Sequence, residues 1–196
     1  MVRIKDGFWI GEYETTVLAW RKVMGCLPAM EGATDRKPVA GVSWHDCREF
    51  LERLKPPGNG WRYELPTEAQ WEYACRAGGN SAESRQPAEQ GWIDANSGGR
   101  SHPVGTKPAN AWSLRDMHGN VAEWCRDVVG DEGSERSIRG GSWDSDLGAR
   151  ASARNSDTPF LRINRLGFRL VLVRDQAPIS EVPAPGPHHI TSRYQP

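Results

Sequence analysis

The residues from Leu114 to Asp127, LRDMHGNVAEWCRD, bring Asp116, Gly119, Asn120, Glu123 and Trp124 close together with no clear helical or strand period. What such a segment does in a soluble protein is the first question the sequence poses. The other chemically capable residues are sparse. Cys26, Cys47, Cys75 and Cys125 are widely separated and form no C-x-x-C pair, which argues against a zinc ribbon or a thioredoxin-type site. Buried free thiols are the expectation for a cytoplasmic chain, and one or two disulfides stay open for an exported one. His45 and His118 stand alone, at a helix start and in a loop, and read as hydrogen-bonded structural groups. No G-x-G-x-x-G, phosphate loop, nucleophile elbow or H-E-x-x-H occurs, so the common enzyme classes gain no support.

The elements that must position these residues are short. GFWIGEYETT alternates as a half-buried strand does, and TVLAWRKVMG places Val17, Trp20 and Met24 on one helical face before a stop at Gly25. Ser43 with Asp46, and Thr67 with Gln70, predict capping boxes that open two more helices. Their apolar stripes are Trp44, Cys47, Leu51 and Leu54 in the first and Trp71, Ala74 and Cys75 in the second. Pro56 and Pro57 end one helix, and Gly78 can close the other. Residues 79–112 read as irregular, and so long an irregular stretch in a compact domain is usually functional or held by something besides backbone ladders. RSIRGGSW reads as a strand with a glycine bend and LGFRLVLVRD as one terminal strand. From Gln176 the proline-rich tail to Pro196 has no apolar period and is expected to be extended or disordered, with His188 and His189 solvated.

A chain of 196 residues is expected to form one domain, here residues 1–175 ahead of that tail. Twenty-five basic and 25 acidic residues balance, which points away from nucleic acid and from an anionic membrane as partners. No signal-type or bilayer-length apolar run occurs, so a soluble, cytoplasmic protein is expected. Nine tryptophans with 21 glycines and 14 prolines predict a loop-rich fold built on a few large aromatic anchors.

The segments GEYETT, PVAGVSWHDCREFLERL, RYELPTEAQWEYACRAG, DANSGGRSHPVGTKPANAWSLRDMHGNVAEW, RGGSW and RLGFRLV, taken in order from about Gly7 to Val173, resemble the formylglycine-generating enzyme family, or sulfatase-modifying factor domain. The resemblance implies an α+β fold of irregular C-type lectin type, loop-rich with few short helices and strands. The family's usual opening strand, GG-x-F-x-MG, is not recognisable ahead of Phe8, so the domain is expected to be minimal or cut from something longer. The family includes formylglycine-generating oxidases, sulfoxide synthases, pyoverdine-maturation proteins and non-catalytic binding domains, among them variable proteins diversified by retroelements. Membership alone therefore does not fix an activity.

Residue by residue, the resemblance implies a calcium ion held by the side chains of Asp116 and Glu123 and the carbonyls of Gly119 and Val121, with Trp124 pinning the loop to the core. Calcium takes hard oxygen ligands, and a glycine permits the turn that aims carbonyls inward. The alternative is a turn capped by Asp116, with Glu123 in a surface ion pair and no metal. A second calcium site of the family is not expected, because the loop DANSGGRSHPVG is short and Asn96 cannot replace its aspartate.

Formylglycine generation needs two cysteines shortly after the GGS turn to bind copper(I), for which soft thiolates are the suitable ligands. Here no cysteine follows Cys125, so no copper is expected and a non-catalytic domain is the reading. An oxidoreductase or protein-modifying enzyme with an unrecognised metal site is the alternative. In the lectin-fold binding members the segment from the RGGSW turn to the GFRL strand carries the ligand. The resemblance thus implies a protein- or small-molecule-binding face of Trp143, Asp144, Ser145, Asp146, Arg150, Ser152, Asn155, Phe160, Arg162, Asn164 and Arg165. Arg154 and Arg169 read instead as arginines that tie loops to carboxylates such as Glu64, Glu68 or Glu72.

Overall fold

The computed structural model describes residues 1–175 apart from 5–6, 31, 80–86, 131–132 and 146–148. The tail from Gln176 and residue Asp146 lie outside the described residues. In chain order the elements are β1 (Val2–Ile4), β2 (Phe8–Ile10), α1 (Val17–Met24), α2 (Trp44–Arg53), β3 (Trp61–Glu64), α3 (Glu68–Cys75), α4 (Pro87–Gln90), α5 (Asp94–Ser97), β4 (Ala122–Val129), β5 (Glu135–Arg139), β6 (Asn155–Asp157), β7 (Leu166–Gly167) and β8 (Val171–Arg174). A strand therefore does precede Phe8, since β1 pairs antiparallel with β2.

Local chemistry sets the helices. The Thr16 hydroxyl accepts from Ala19 N at the start of α1, and Gly25 closes it in the left-handed region at φ 77°. Both expected capping boxes are present: Ser43 and Asp46 exchange hydrogen bonds at α2, and Thr67 and Gln70 do so at α3. The buried face of α2 differs in part from its expected stripe. Cys47, Phe50 and Leu51 enter the core, while Trp44 stays at the rim, where its Nε1 donates to Cys125 O at 2.9 Å under the Arg136 guanidinium, 4.1 Å from the ring. An indole with a polar edge can sit at the boundary and still bury its body.

Two four-stranded sheets organise the rest, with strand orders β1-β2-β8-β3 and β6-β5-β4-β7. The pair β4–β7 runs parallel, and the other pairs run antiparallel. The single terminal strand expected over LGFRLVLVRD is in fact two. β7 ends at Gly167 in one sheet, the chain crosses through Phe168 and Arg169, and β8 begins at Val171 in the other. The crossing is tight: a Cβ on Gly167 would lie 2.3 Å from Val39 O. Two buried clusters fill the interior. One joins Trp20, Phe50, Leu65, Trp124 and Phe168, and the other joins Ile10, Trp71, Leu114, Met117 and Val171. Among the described residues no helix is long and apolar enough to cross a membrane.

Candidate functional site

The turn before β4 and the crossing between β7 and β8 meet in the interior. Glu123, on β4, is 0% exposed, and so is Arg169 in the crossing. Arg169 Nε and Nη2 both reach the Glu123 carboxylate, at 2.8–3.0 Å, and Trp71 Nε1 donates to Glu123 Oε2 at 2.6 Å. The surface ion pair of the alternative reading is therefore a buried one, because the strand's first four residues are all buried. Arg169 also donates to the carbonyls of Gly11, Glu12, Arg115 and Asp116, so one guanidinium holds the N-terminal segment, the turn and the strand together.

Asp116 and Asn120 adopt left-handed φ of 55° and 58°, which short polar side chains tolerate. Between them Gly119, at φ 74°, passes so close to Trp92 that a Cβ would lie 2.0 Å from its carbonyl oxygen. Asp116 Oδ2 accepts from Gly105 N at 2.6 Å and Asn120 Oδ1 from His102 N at 2.9 Å, which fixes the irregular loop over the turn. Asp116 Oδ1 is buried with no hydrogen-bond partner. A third carboxylate, absent from the sequence-based site, completes the cluster: Glu14 is 2% exposed, receives Val121 N at 3.4 Å on Oε1, and leaves Oε2 without a partner. Burial, then repulsion from Asp116 and Glu123, pushes the Glu14 carboxyl well above its ordinary range. Burial also raises Asp116. Three buried carboxylates thus face one guanidinium. Glu14 sits in the quoted GEYETT segment, but nothing in its local pattern marks it as buried.

The residues expected on the C-terminal loop face are distributed over two cavities and the surface around them. Asp144, Ser145, Asn155 and Arg165 line a cavity of about 370 Å³, together with Arg139, Arg154 and Asp157. Arg162 and Asn164 line a different cavity. Phe160 is 70% exposed and packs on the His45 ring with centroids 4.9 Å apart. Arg150 and Ser152 are exposed, and half-buried Trp143 accepts from Ser97 Oγ at 2.7 Å through its carbonyl. Ile163 lines both cavities, and in the second Arg162 pairs with Asp46 at 2.7 Å across the helix start. Burial works to raise the Asp46 carboxyl, yet hydrogen bonds from Arg162 and Ser43 outweigh it and hold the group below its ordinary value.

Arginine roles also differ from expectation. Arg154 does reach Glu68, at 3.0 Å, while remaining 70% exposed. Arg169 pairs with Glu123 rather than with Glu64, Glu68 or Glu72. The buried tie to Glu68 and Glu72 is Arg139, at 2.9 and 2.7 Å, which sequence reasoning did not single out. Asn96 is consumed locally, accepting from Ile93 N and donating to Ala88 and Gly91 carbonyls. His118 bonds Ala149 O through Nδ1 at 2.6 Å and lies 3.7 Å from Cys75 Sγ. The four cysteines are free thiols, three of them buried. Burial pushes Cys75 up to about 12 and raises Cys47 and Cys125 well above the ordinary thiol range, so these are protonated groups rather than thiolate ligands.

A family model described as the sulfatase-modifying factor enzyme 1-like domain matches residues 1–174. The chain belongs to this family. This sulfatase-modifying-factor domain is 31% identical to the chaperone protein LppX of Paenibacillus barcinonensis, over 71% of the chain and 70% of that protein. It is 30% identical to the inactive C-alpha-formylglycine-generating enzyme 2 of Mus musculus, over 76% of the chain and 53% of that protein. It thus spans about half the length of that enzyme-like relative. Among solved structures, Treponema denticola variable protein 1 superposes with a TM-score of 0.74 at 27% identity, over 84% of both chains. The domain therefore has the formylglycine-generating-enzyme-like, C-type lectin-like fold, with few short helices and strands.

Proposed function

We propose that this sulfatase-modifying-factor domain is a non-catalytic binding module, which takes a protein or small-molecule ligand at its C-terminal loop face and is braced beneath by calcium. The observation that carries the reading is the 370 Å³ cavity. Ser145 lies in its wall, shortly after the GGS turn where formylglycine chemistry requires thiols, and the polar groups around it are hydroxyl, amide, carboxylate and guanidinium. Such groups recognise ligands by hydrogen bonding and charge, whereas copper(I) requires soft donors. The likeness to a protein named variable protein 1 supports a face of the kind that retroelements diversify. An enzyme with an unrecognised metal site remains the competing reading, and copper or iron at stoichiometric occupancy in protein purified without chelator would establish it.

The test of the face is a pull-down from the source organism with wild type and with the Arg154→Ala/Arg165→Ala double variant as baits. Both arginines are substantially exposed, at 70% and 47% of the side chain, so the double variant is expected to fold normally and to lose the partner. Equal recovery by both baits would place recognition elsewhere.

Calcium fits the turn in its donor chemistry. The groups are hard oxygens, and Asp116 Oδ1 and Glu14 Oε2 are buried without partners in a cluster of three carboxyl groups around one guanidinium. Asp116 and the carbonyls of Gly119 and Val121 would hold the ion, and Glu123, both of whose oxygens already accept from Arg169, would share one of them. The ion would supply charge compensation and orient the turn under the loop face. A hundredfold excess of calcium over its Kd is expected to stabilise the fold by about 2–3 kcal/mol, reversed by chelator. Asp116→Asn is expected to abolish that gain while leaving the chelated protein no less stable, since it removes a repelling charge. Identical melting curves with calcium and with chelator would show that protons alone neutralise the cluster.

A further inference from the structure

Among the described residues the two most exposed large apolar side chains are Phe160, at 70%, and Val128, at 52%. A single run of contacts joins them. The Phe160 ring lies on His45 with centroids 4.9 Å apart, His45 meets Trp44 edge-on at 5.5 Å, and the Arg136 guanidinium covers Trp44 at 4.1 Å. Arg136 is the cross-strand partner of Val128, and directly paired residues project from the same face of a sheet. Arg126, exposed like Val128, accepts from Arg136 Nη1 through its carbonyl at 3.1 Å. The result is a surface ladder of aromatic rings, arginines and one exposed valine, built from the start of α2, the turn after β6 and the β4–β5 pair. None of its residues lines either cavity, although Leu161, next to Phe160, lines the first.

The charge of the ladder is one-sided. Neither Arg126 nor Arg136 pairs with a carboxylate among the described residues, and the ladder itself contains none. The neighbouring carboxylates are engaged elsewhere: Asp46 with Arg162, Glu52 and Glu64 with Arg48, Asp127 with Glu68 N, Glu135 with Ser156 Oγ and Asp157 with Thr158 N. Arg136 is held between the indole and the Arg126 carbonyl before any partner arrives, so it loses little freedom on association. Arginine beside aromatic carbon is also the composition of the side chains that contribute most to protein interfaces. Nucleic acid fits less well, because bases stack on open rings, Trp44 is covered by Arg136, and the chain carries no net charge. We propose that this ladder docks an acidic polypeptide segment of a protein partner, with carboxylates on Arg126 and Arg136 and an aromatic side chain on Phe160. The proposal does not rest on binding at the 370 Å³ cavity.

The test titrates the full chain with the end-capped peptide Glu-Glu-Glu-Glu-Phe, which when extended is long enough to run from Arg136 to Phe160. NMR follows the backbone amides of His45 and Phe160 and the Nε–H groups of Arg126 and Arg136. Saturable shifts are expected at these groups, with an affinity that falls as salt is raised. Alanine in place of the peptide's phenylalanine should weaken binding about fivefold, and lysine in place of its glutamates should abolish it. In the protein, Arg126→Glu/Arg136→Glu should weaken binding by about tenfold or more, and Phe160→Ala by about fivefold. Arg126→Glu alone and Phe160→Ala lie at exposed positions and keep the test valid even where the Arg136 change disturbs Trp44. Arg154→Ala/Arg165→Ala should bind the peptide as the wild type does. The proposal fails if no shift saturates, if the shifts fall on residues of the 370 Å³ cavity, or if binding is lost in Arg154→Ala/Arg165→Ala and kept in the ladder variants. It fails equally if the lysine peptide binds as well as the glutamate peptide, or if an oligothymidylate of equal charge binds more tightly than either.

Discussion

Replacing Arg169 with methionine is expected to destabilise the protein by about 3–5 kcal/mol, the range for removing one partner of a buried ion pair. The side chain is fully buried and compensates Glu123 directly, with Glu14 and Asp116 close enough to repel once it is gone. The same substitution orphans the carbonyls of Gly11, Glu12, Arg115 and Asp116. Urea unfolding of Arg169→Met, Glu123→Gln and the double variant would read the effect as a cycle, with the double variant less destabilised than the sum of the singles. The deficit should also depend on pH. Burial, reinforced by repulsion in the case of Glu14, already raises Glu14 and Asp116, so the folded state holds their protons more tightly than the unfolded state does. Stability from these groups is thus lost as pH rises through their raised folded values, and the deficit of Arg169→Met should narrow as the solution is acidified from neutrality. A loss below about 1 kcal/mol, the scale of a surface ion pair, would mean that the cluster is not the buried charge centre described.

Trp124→Ala is the second large effect, an expected loss of about 3–5 kcal/mol for emptying a buried large aromatic site. The residue is 0% exposed, packs in the same cluster as Trp20, Phe50 and Phe168, and donates from Nε1 to Val42 O at 3.0 Å. Deletion creates a cavity and strands that carbonyl together. For a chain of this size the melting temperature should fall by roughly 10 °C, taking a few degrees for each kcal/mol. Phe160→Ala is the matched control, because its ring is 70% exposed and its loss should change stability by no more than about 0.5 kcal/mol. If the two variants melt together, Trp124 is not the anchor of the β4 strand.

Local chemistry was legible in the sequence. Both capping boxes join residues three positions apart, and the stop at Gly25 depends only on the backbone conformation glycine allows. The ordered motifs, read together, also carried the family and its lectin-like fold. The LGFRLVLVRD segment is less legible: its apolar residues read as one strand, whereas in the fold it divides between two sheets, with Gly167 packed against Val39 O where the first part ends. β4 carries no strand signature at its start, because its first four residues are all buried and give no alternation.

The tertiary structure alone decided the partners. Arg169 and Glu123 are 46 residues apart, Arg139 and its two glutamates 71 and 67, and Arg162 and Asp46 116. Each guanidinium could have met any of several carboxylates, and the path of the backbone selects which. That choice paired Glu123 with a buried guanidinium, brought Glu14 to the turn, and distributed the expected recognition residues over two cavities. A residue's type sets what it can bond, and a neighbour's spacing sets local shape. Burial and long-range pairing depend on where the whole chain places its partners, and no window of the sequence contains that information.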